Sequence, residues 1–159
     1  MRRPLSVMLL VCAGLVGCDH ATKAVAEAEL RGEPPRPVIA GVVDLEYRQN
    51  HGVAFNLERF IPGPARAPLM ALAIAAGVVI LVVGWRRSRQ EVSLETFAYA
   101  SLAAGAIGNL VDRLVRGYVV DFIAVRYWPV FNVADIALVV GIGLLFLDPV
   151  LRRKASVQR

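Results

Sequence analysis

The sequence predicts a mainly α-helical membrane protein with four transmembrane helices, and three observations predict it. The 159-residue chain is 57% hydrophobic with a mean hydropathy of +0.55. It contains four apolar runs of near-membrane length, and compact basic clusters flank them. Roughly 20 apolar residues span a bilayer, so a chain of this size has room for about four crossings and little else. The reading is one domain, 1–159, with spans at 5–28, 67–85, 94–114 and 133–151 and outer segments at 30–66 and 115–132. The formal net charge of +5 would hint at nucleic acid in a soluble protein. Here the cations bracket apolar runs and act as topology signals, so no nucleic-acid partner is expected.

Taken in order, Arg2 and Arg3 precede the first run, Leu5 to Cys18, and the helical pattern continues past Asp19, His20 and Lys23 to Ala28. The Gly/Pro-rich stretch from Leu30 to Pro37 breaks it. Val38 to Leu57 alternates loosely, with Val42, Val43, Leu45 and Tyr47 indicating short strands. Pro62, Pro64 and Pro68 close that region, and the second run, Ala67 to Trp85, stops at Arg86-Arg87-Ser88-Arg89. The third run ends at Asp112-Arg113, and Gly117 to Pro129 is a mixed segment rich in Val, Tyr and Trp. The fourth run, Ile136 to Leu147, reaches Asp148-Pro149 and then Arg152-Arg153-Lys154.

Lysine and arginine placement orients the chain. The clusters at Arg2/Arg3, Arg86/Arg87/Arg89 and Arg152/Arg153/Lys154 all fall on the cytoplasmic side of a four-span topology, with both termini. Arg31, Arg36, Arg48, Arg59 and Arg66 then lie outside, interleaved with glutamate or proline. At about 1.5 Å per residue, Asp19 lies roughly 21 Å along the helix from Leu5, in the outer half of the membrane. Asp112, Arg113, Asp135, Asn50 and Asp121 also fall toward the outer face. Scattered structural polar residues would have no reason to converge there.

Each polar group has an ordinary explanation alone. Asp19 and Lys23, at i and i+4, form an ion pair on one helix face, and neighbouring His20 points elsewhere and receives no role. Asn50 and Gly52 in N-H-G-V-A-F suit a turn. Gly105 and Gly108 let helices approach closely in lipid. Asn109, Asp112 and Arg113 share spacings that make a buried polar cluster. Asp135 suits a helix N-terminus. Cys12 and Cys18 form no disulfide framework, and no zinc-type ligand spacing exists. Together, however, Asp121 and Asp135 leave two carboxylates on one membrane face without one-to-one basic partners. Intramembrane carboxylates are expensive and functional by default. Two close carboxylates share one proton, giving one base and one acid, which suits hydrolysis of an amide without a covalent intermediate.

At these residues the chain resembles the lipoprotein signal peptidases, the bacterial type II signal peptidases. The likeness rests on D-H-A-T-K (Asp19–Lys23), N-H-G-V-A-F (Asn50–Phe55), G-A-I-G-N-L-V-D-R-L-V-R-G-Y-V-V-D-F (Gly105–Phe122) and F-N-V-A-D (Phe131–Asp135), four motifs in order over most of the chain. His20 stands where glutamine is more usual. The resemblance implies an intramembrane aspartyl protease with catalytic Asp121 and Asp135 and with no metal or organic cofactor. It implies that Asn50, Asn109, Arg113 and Asn132 line the site, supported by Asp19, Lys23, Gly52, Gly108 and Asp112. The implied substrate is a diacylglyceryl-modified prolipoprotein cut before its lipidated cysteine, and the implied inhibitor is globomycin. The implied setting is the bacterial inner membrane, with a monomer among membrane lipids and its site toward the outer face. Val38 to Leu57 would form a small extracytoplasmic β-structure lying on the membrane surface, and Gly117 to Pro129 a loop near the site.

Two other readings remain open. Leu15-Val16-Gly17-Cys18 itself resembles a lipobox, which would make the chain a lipoprotein. Three further membrane-length runs, in place of a soluble domain, weigh against it. The same carboxylates could serve a proton- or ion-coupled transporter, although the chain shows no internal repeat.

Overall fold

The computed structural model describes residues 3–51, 66–87 and 92–157. Four helices and three strands follow in the order α1 (Arg3–Leu30), β1 (Arg36–Ile39), β2 (Val43–Asn50), α2 (Arg66–Arg87), α3 (Leu94–Val115), β3 (Val119–Val125) and α4 (Val133–Val157). The helices cover the four apolar runs. The last extends beyond its expected limit at residue 151 and continues through Pro149. Among the described residues, one helical stretch, Pro4–Leu30, is long and apolar enough to cross a bilayer by length and composition.

α3 packs against all three other helices. Small residues make this possible. A Cβ at Gly105 would sit 2.4 Å from the Ala134 carbonyl oxygen of α4, and one at Gly108 would sit 2.6 Å from Asp19 Oδ2 of α1. Met8 and Cys12 of α1 meet Tyr99, Ala100, Leu102, Ala103 and Ala104 of α3 in the apolar core. At the α2–α3 connection, Arg87 reaches Glu95 at 3.3 Å. The arginine lies at the negative end of α2 and the glutamate at the positive end of α3, where the helix dipoles favour them.

Polarity is distributed inside out. Leu10, Val139 and Phe146 are 69–77% exposed, whereas Asp19, Lys23, Asp112 and Asn132 are at most 1% exposed. Large exposed apolar surface around a polar interior suits lipid surroundings and is unfavourable in water.

The strands form one antiparallel sheet, ordered β1-β2-β3. Gly117 turns the chain out of α3. Its amide bonds the Arg113 carbonyl at 3.2 Å, and its φ of +79° is open to glycine at little cost. Two residues later, at Val119, β3 begins. The resemblance implies a loop over this segment, and the structure corrects it to a strand. V-V-D-F-I-A-V is rich in β-branched residues and finds a free edge on β2. Phe122 anchors β3 against Ala26 and Leu30 of α1. After β3 the chain reverses, and Phe131 exchanges backbone bonds with Ile123 at 2.9 and 3.0 Å. This reversal returns Asn132 to Asp121.

Gly105→Val should force the α3–α4 contact apart, because the nearest obstruction is backbone. Overpacking of this kind costs about 1–3 kcal/mol. Thermal unfolding in detergent should show a lower midpoint than wild type.

Candidate active site

Asp121 and Asp135 reach the site from different kinds of element. Asp121 is on β3 and is 3% exposed. Asn132 Nδ2 donates to its Oδ1 at 2.7 Å, and Asn50 Nδ2 donates to its Oδ2 at 2.8 Å. Asp135 lies in the first turn of α4. Its amide donates to Asn132 Oδ1 at 3.0 Å, and the Asn132 amide donates back to Asp135 Oδ2 at 3.2 Å. This reciprocal pair is a capping box. Asp135 therefore combines a helix-capping role with its place in the carboxylate pair. Asn109 Nδ2 of α3 donates to its other oxygen at 2.8 Å.

Asn132 is the link between the carboxylates. Its side-chain nitrogen serves Asp121 and also Asn109 Oδ1, 3.1 Å away. Lys23 Nζ donates to the same Asn109 oxygen at 3.1 Å. Two donors on that oxygen fix the direction of the Asn109 amide, so its nitrogen must face Asp135.

Behind the amides lies a buried ion cluster. Lys23 Nζ is 2.8 Å from Asp19 Oδ2 and 2.8 Å from Asp112 Oδ2. Asp19 Oδ1 accepts the Ala134 amide at 2.8 Å and so ties α1 to the first turn of α4. Asp112 Oδ2 accepts the Val120 amide at 3.3 Å, one residue before Asp121. Asp112 also pairs with Arg116, which in turn reaches Glu27 at 3.5 Å. Sequence reasoning missed Arg116, although its i, i+4 spacing from Asp112 was the available signal. Arg113 donates to the Asn109 carbonyl at 3.1 Å. His20, on a different face from Asp19, packs beside the cluster, with Nδ1 4.0 Å from Asp112 Oδ1. Gly108 lets α1 close on α3, as its missing Cβ leaves room for Asp19. Gly52 lies outside the described residues.

The arrangement brings together Asp121, Asp135, Asn50, Asn109 and Asn132, with Asp19, Lys23 and Asp112 behind them. Burial, opposed by the Asn50 donor and reinforced by the Asp135 charge, pushes the Asp121 carboxyl up to about 6. A carboxyl so placed can hold a proton beside a charged partner, which is the requirement for paired acid and base catalysis. Among the described residues no group of three or more histidine, cysteine or acidic side chains could hold a metal.

A family described as signal peptidase (SPase) II matches residues 11–151. The chain belongs to the signal peptidase II family. Its membership makes it a peptidase of lipoprotein processing. A lipoprotein signal peptidase of Syntrophotalea carbinolica is 36% identical over 145 residues, covering 89% of each chain. One from Geobacter sulfurreducens is 34% identical over 161 residues, covering 98% of this chain and 99% of its own. A solved bacterial membrane enzyme matches with a TM-score of 0.70 at 25% identity, over 89% of this chain and 91% of that one. Another has a TM-score of 0.72 at 24% identity, over 97% and 92%, and shares the fold.

Lys23→Met should be the most damaging change in the ion cluster, since it strands two buried carboxylates. Breaking a buried pair costs about 3–5 kcal/mol. The check is yield and thermal midpoint in detergent, where His20→Gln should stay close to wild type. Asp121→Asn should act oppositely on stability. The native state holds the Asp121 proton up to about 6, whereas an unperturbed carboxyl releases it near 3.8. The native state thus binds more protons between those values, and stability falls as pH rises through them. Asp121→Asn should remove that fall and melt at or above the wild-type temperature at pH 7.5.

Proposed function

We propose that this chain is an intramembrane aspartyl endopeptidase that removes the signal peptide from diacylglyceryl-modified prolipoproteins, cutting before the lipidated cysteine. Asp121 and Asp135 are its catalytic pair. The observation that carries this reading is the shared asparagine: Asn132 bonds both carboxylates and presents them together at the start of α4.

In the proposed reaction the Asp135 carboxylate takes a proton from a water as that water attacks the scissile carbonyl carbon. The Asp121 carboxyl donates to the carbonyl oxygen as negative charge develops there. Collapse of the tetrahedral intermediate breaks the C–N bond, and the leaving amine takes a proton from the pair. The products are a signal peptide with a new carboxyl terminus and a cysteine with a free amino group. Asn50, Asn109 and Asn132 hold the carboxylates in place, and Arg113 flanks them. The working topology is four spans within a single domain, 1–159, with both termini cytoplasmic and the site toward the outer face of the bacterial inner membrane. The basic cluster at Arg86 and Arg87 and the exposed apolar helix faces support it. The sheet would lie at the outer membrane surface. The enzyme would work as a monomer among lipids, without a cofactor, and a globomycin-type cyclic peptide would compete for the site.

Asp121→Asn and Asp135→Asn should each reduce cleavage of a lipidated prolipoprotein by about 10²- to 10⁴-fold while the protein remains folded. Near-full activity of either variant in detergent would defeat the pair assignment. The pH profile follows from the same geometry. The singly protonated pair is the working form, and the Asp121 carboxyl is lost as an acid above about 6. The kcat/KM of the wild type should therefore fall as pH rises through that value. Bound lipidated substrate excludes water from the carboxyl, so the corresponding fall in kcat should come at higher pH.

A further inference from the structure

Close to the pair lies a set of side chains that the proposed reaction leaves unused. The β2–β3 ladder ends at the opposed residues Asn50 and Val119. Directly opposed residues share a face of a sheet, and alternate residues share it too. Asn50, Val119 and Asp121 thus lie on one face. His51 and Tyr118, the next opposed positions, lie on the other. There the His51 and Tyr118 rings meet with centroids 5.3 Å apart and planes tilted by 56°. The Tyr47 hydroxyl donates to the Tyr118 hydroxyl at 3.4 Å, and Gln49 Nε2 donates to the Tyr47 hydroxyl at 3.2 Å.

The location gives this group its consequence. Asn50 is the last residue of β2, and its amide holds Asp121 Oδ2. A terminal rung held by backbone bonds alone opens readily. Every such opening would withdraw the Asn50 donor from the carboxyl. Aromatic contact across the strands, on the far face, resists the opening without touching the reacting atoms.

We propose that His51, through its ring contact with Tyr118, is a positioning residue that clamps the end of the β2–β3 ladder and keeps Asn50 on Asp121. The inference rests on the proposed role of Asp121. The imidazole acts by packing rather than by proton transfer. Tyr118, the residue before β3, and Tyr47 of β2 are the titratable groups on its face among the described residues, with Glu27 of α1 and the Arg31 guanidinium beside Tyr47. Burial pushes the Tyr47 hydroxyl up, so it remains a neutral donor. On the opposite face Asp121 responds to Asp135 of α4 and Lys23 of α1. The Asn50 donor holds the Asp121 carboxyl down, so loosening it moves that carboxyl upward.

The test is kcat/KM against pH for the full-length enzyme in detergent, with a diacylglyceryl-modified prolipoprotein as substrate. Wild type beside Asp121→Asn comes first: equal rates would sink the catalytic pair itself, independently of His51. With that pair standing, His51→Ala should lower the plateau below pH 6 by about three- to tenfold, the loss of roughly one hydrogen bond. It should also move the falling limb to higher pH, which a merely loosened fold would not do. His51→Phe keeps a ring on Tyr118 and should recover both to within about twofold of wild type. Should His51→Ala destabilise the protein, Tyr118→Leu provides the second route, and it should reproduce the same limb shift. The double variant should then be no worse than the worse single one, because both remove one contact. A His51→Ala profile that superimposes on wild type, a His51→Phe enzyme as impaired as His51→Ala, or additive losses in the double variant would each overturn the proposal.

Discussion

The buried ammonium of Lys23 is the interaction on which the rest of the site depends. It is fully buried, and so are its partners Asp19 and Asp112. An isolated charge in such surroundings would carry a penalty of several kcal/mol, so the three groups stand or fall together. Each carboxylate also binds backbone, Asp19 through the oxygen that Lys23 leaves and Asp112 through the same oxygen that meets Lys23. Asp19 takes the Ala134 amide at the start of α4, and Asp112 takes the Val120 amide at the start of β3. These two amides belong to the immediate neighbours of Asp135 and Asp121. The ion cluster on α1 and α3 therefore sets the positions of the catalytic candidates without contacting either carboxylate.

The same ammonium also governs direction. An amide side chain can face either way at nearly equal cost in isolation. Asn109 cannot, because Lys23 and Asn132 both donate to its oxygen, leaving its nitrogen for Asp135. Asn132 is constrained likewise by its capping exchange with Asp135. A chain of fixed dipoles thus runs from a buried cation to the carboxylate pair. Such preorganisation removes the reorganisation that water would need as charge develops during reaction.

Much of this was legible in the sequence, and the parts that were not have physical reasons. The helices could be read because each follows a long apolar run with few charges. Asp19, Lys23, Asp112, Asn109 and Asn132 stood out because each is costly in such a run. β3 escaped notice because Val119 to Phe122 are all buried, so the alternation that marks a half-exposed strand is missing. Spacing groups Asp112 with Asn109 and Arg113 and leaves Arg116 out. Arg116, one turn on, makes the pair, while Arg113 reaches back to the Asn109 carbonyl. His20 was set aside because it does not share a face with Asp19, but the face it does share brings it to Asp112 on another helix. Sequence spacing describes one helix at a time, and this site is built between three helices and a sheet.

The two aspartates also differ in how firmly they are held. Asp135 is in the first turn of a helix, bonded by Asn109 and within a capping box. Asp121 is on the outer strand of a three-stranded sheet, one of its two side-chain donors coming from the final residue of a neighbouring strand. Packing of Phe122 on α1 anchors one side of that strand, but the Asn50 side ends where the ladder ends. Local opening costs least at such an end. The pair thus joins a rigid carboxylate on the helix to a more adjustable one on the sheet. Adjustment on the Asp121 side can open the pair without disturbing the buried ion cluster, which would be far more expensive to break. The division follows from secondary structure: a helix terminus fixes its third residue by reciprocal bonds, whereas a strand end has no equivalent lock except the side chains across from it.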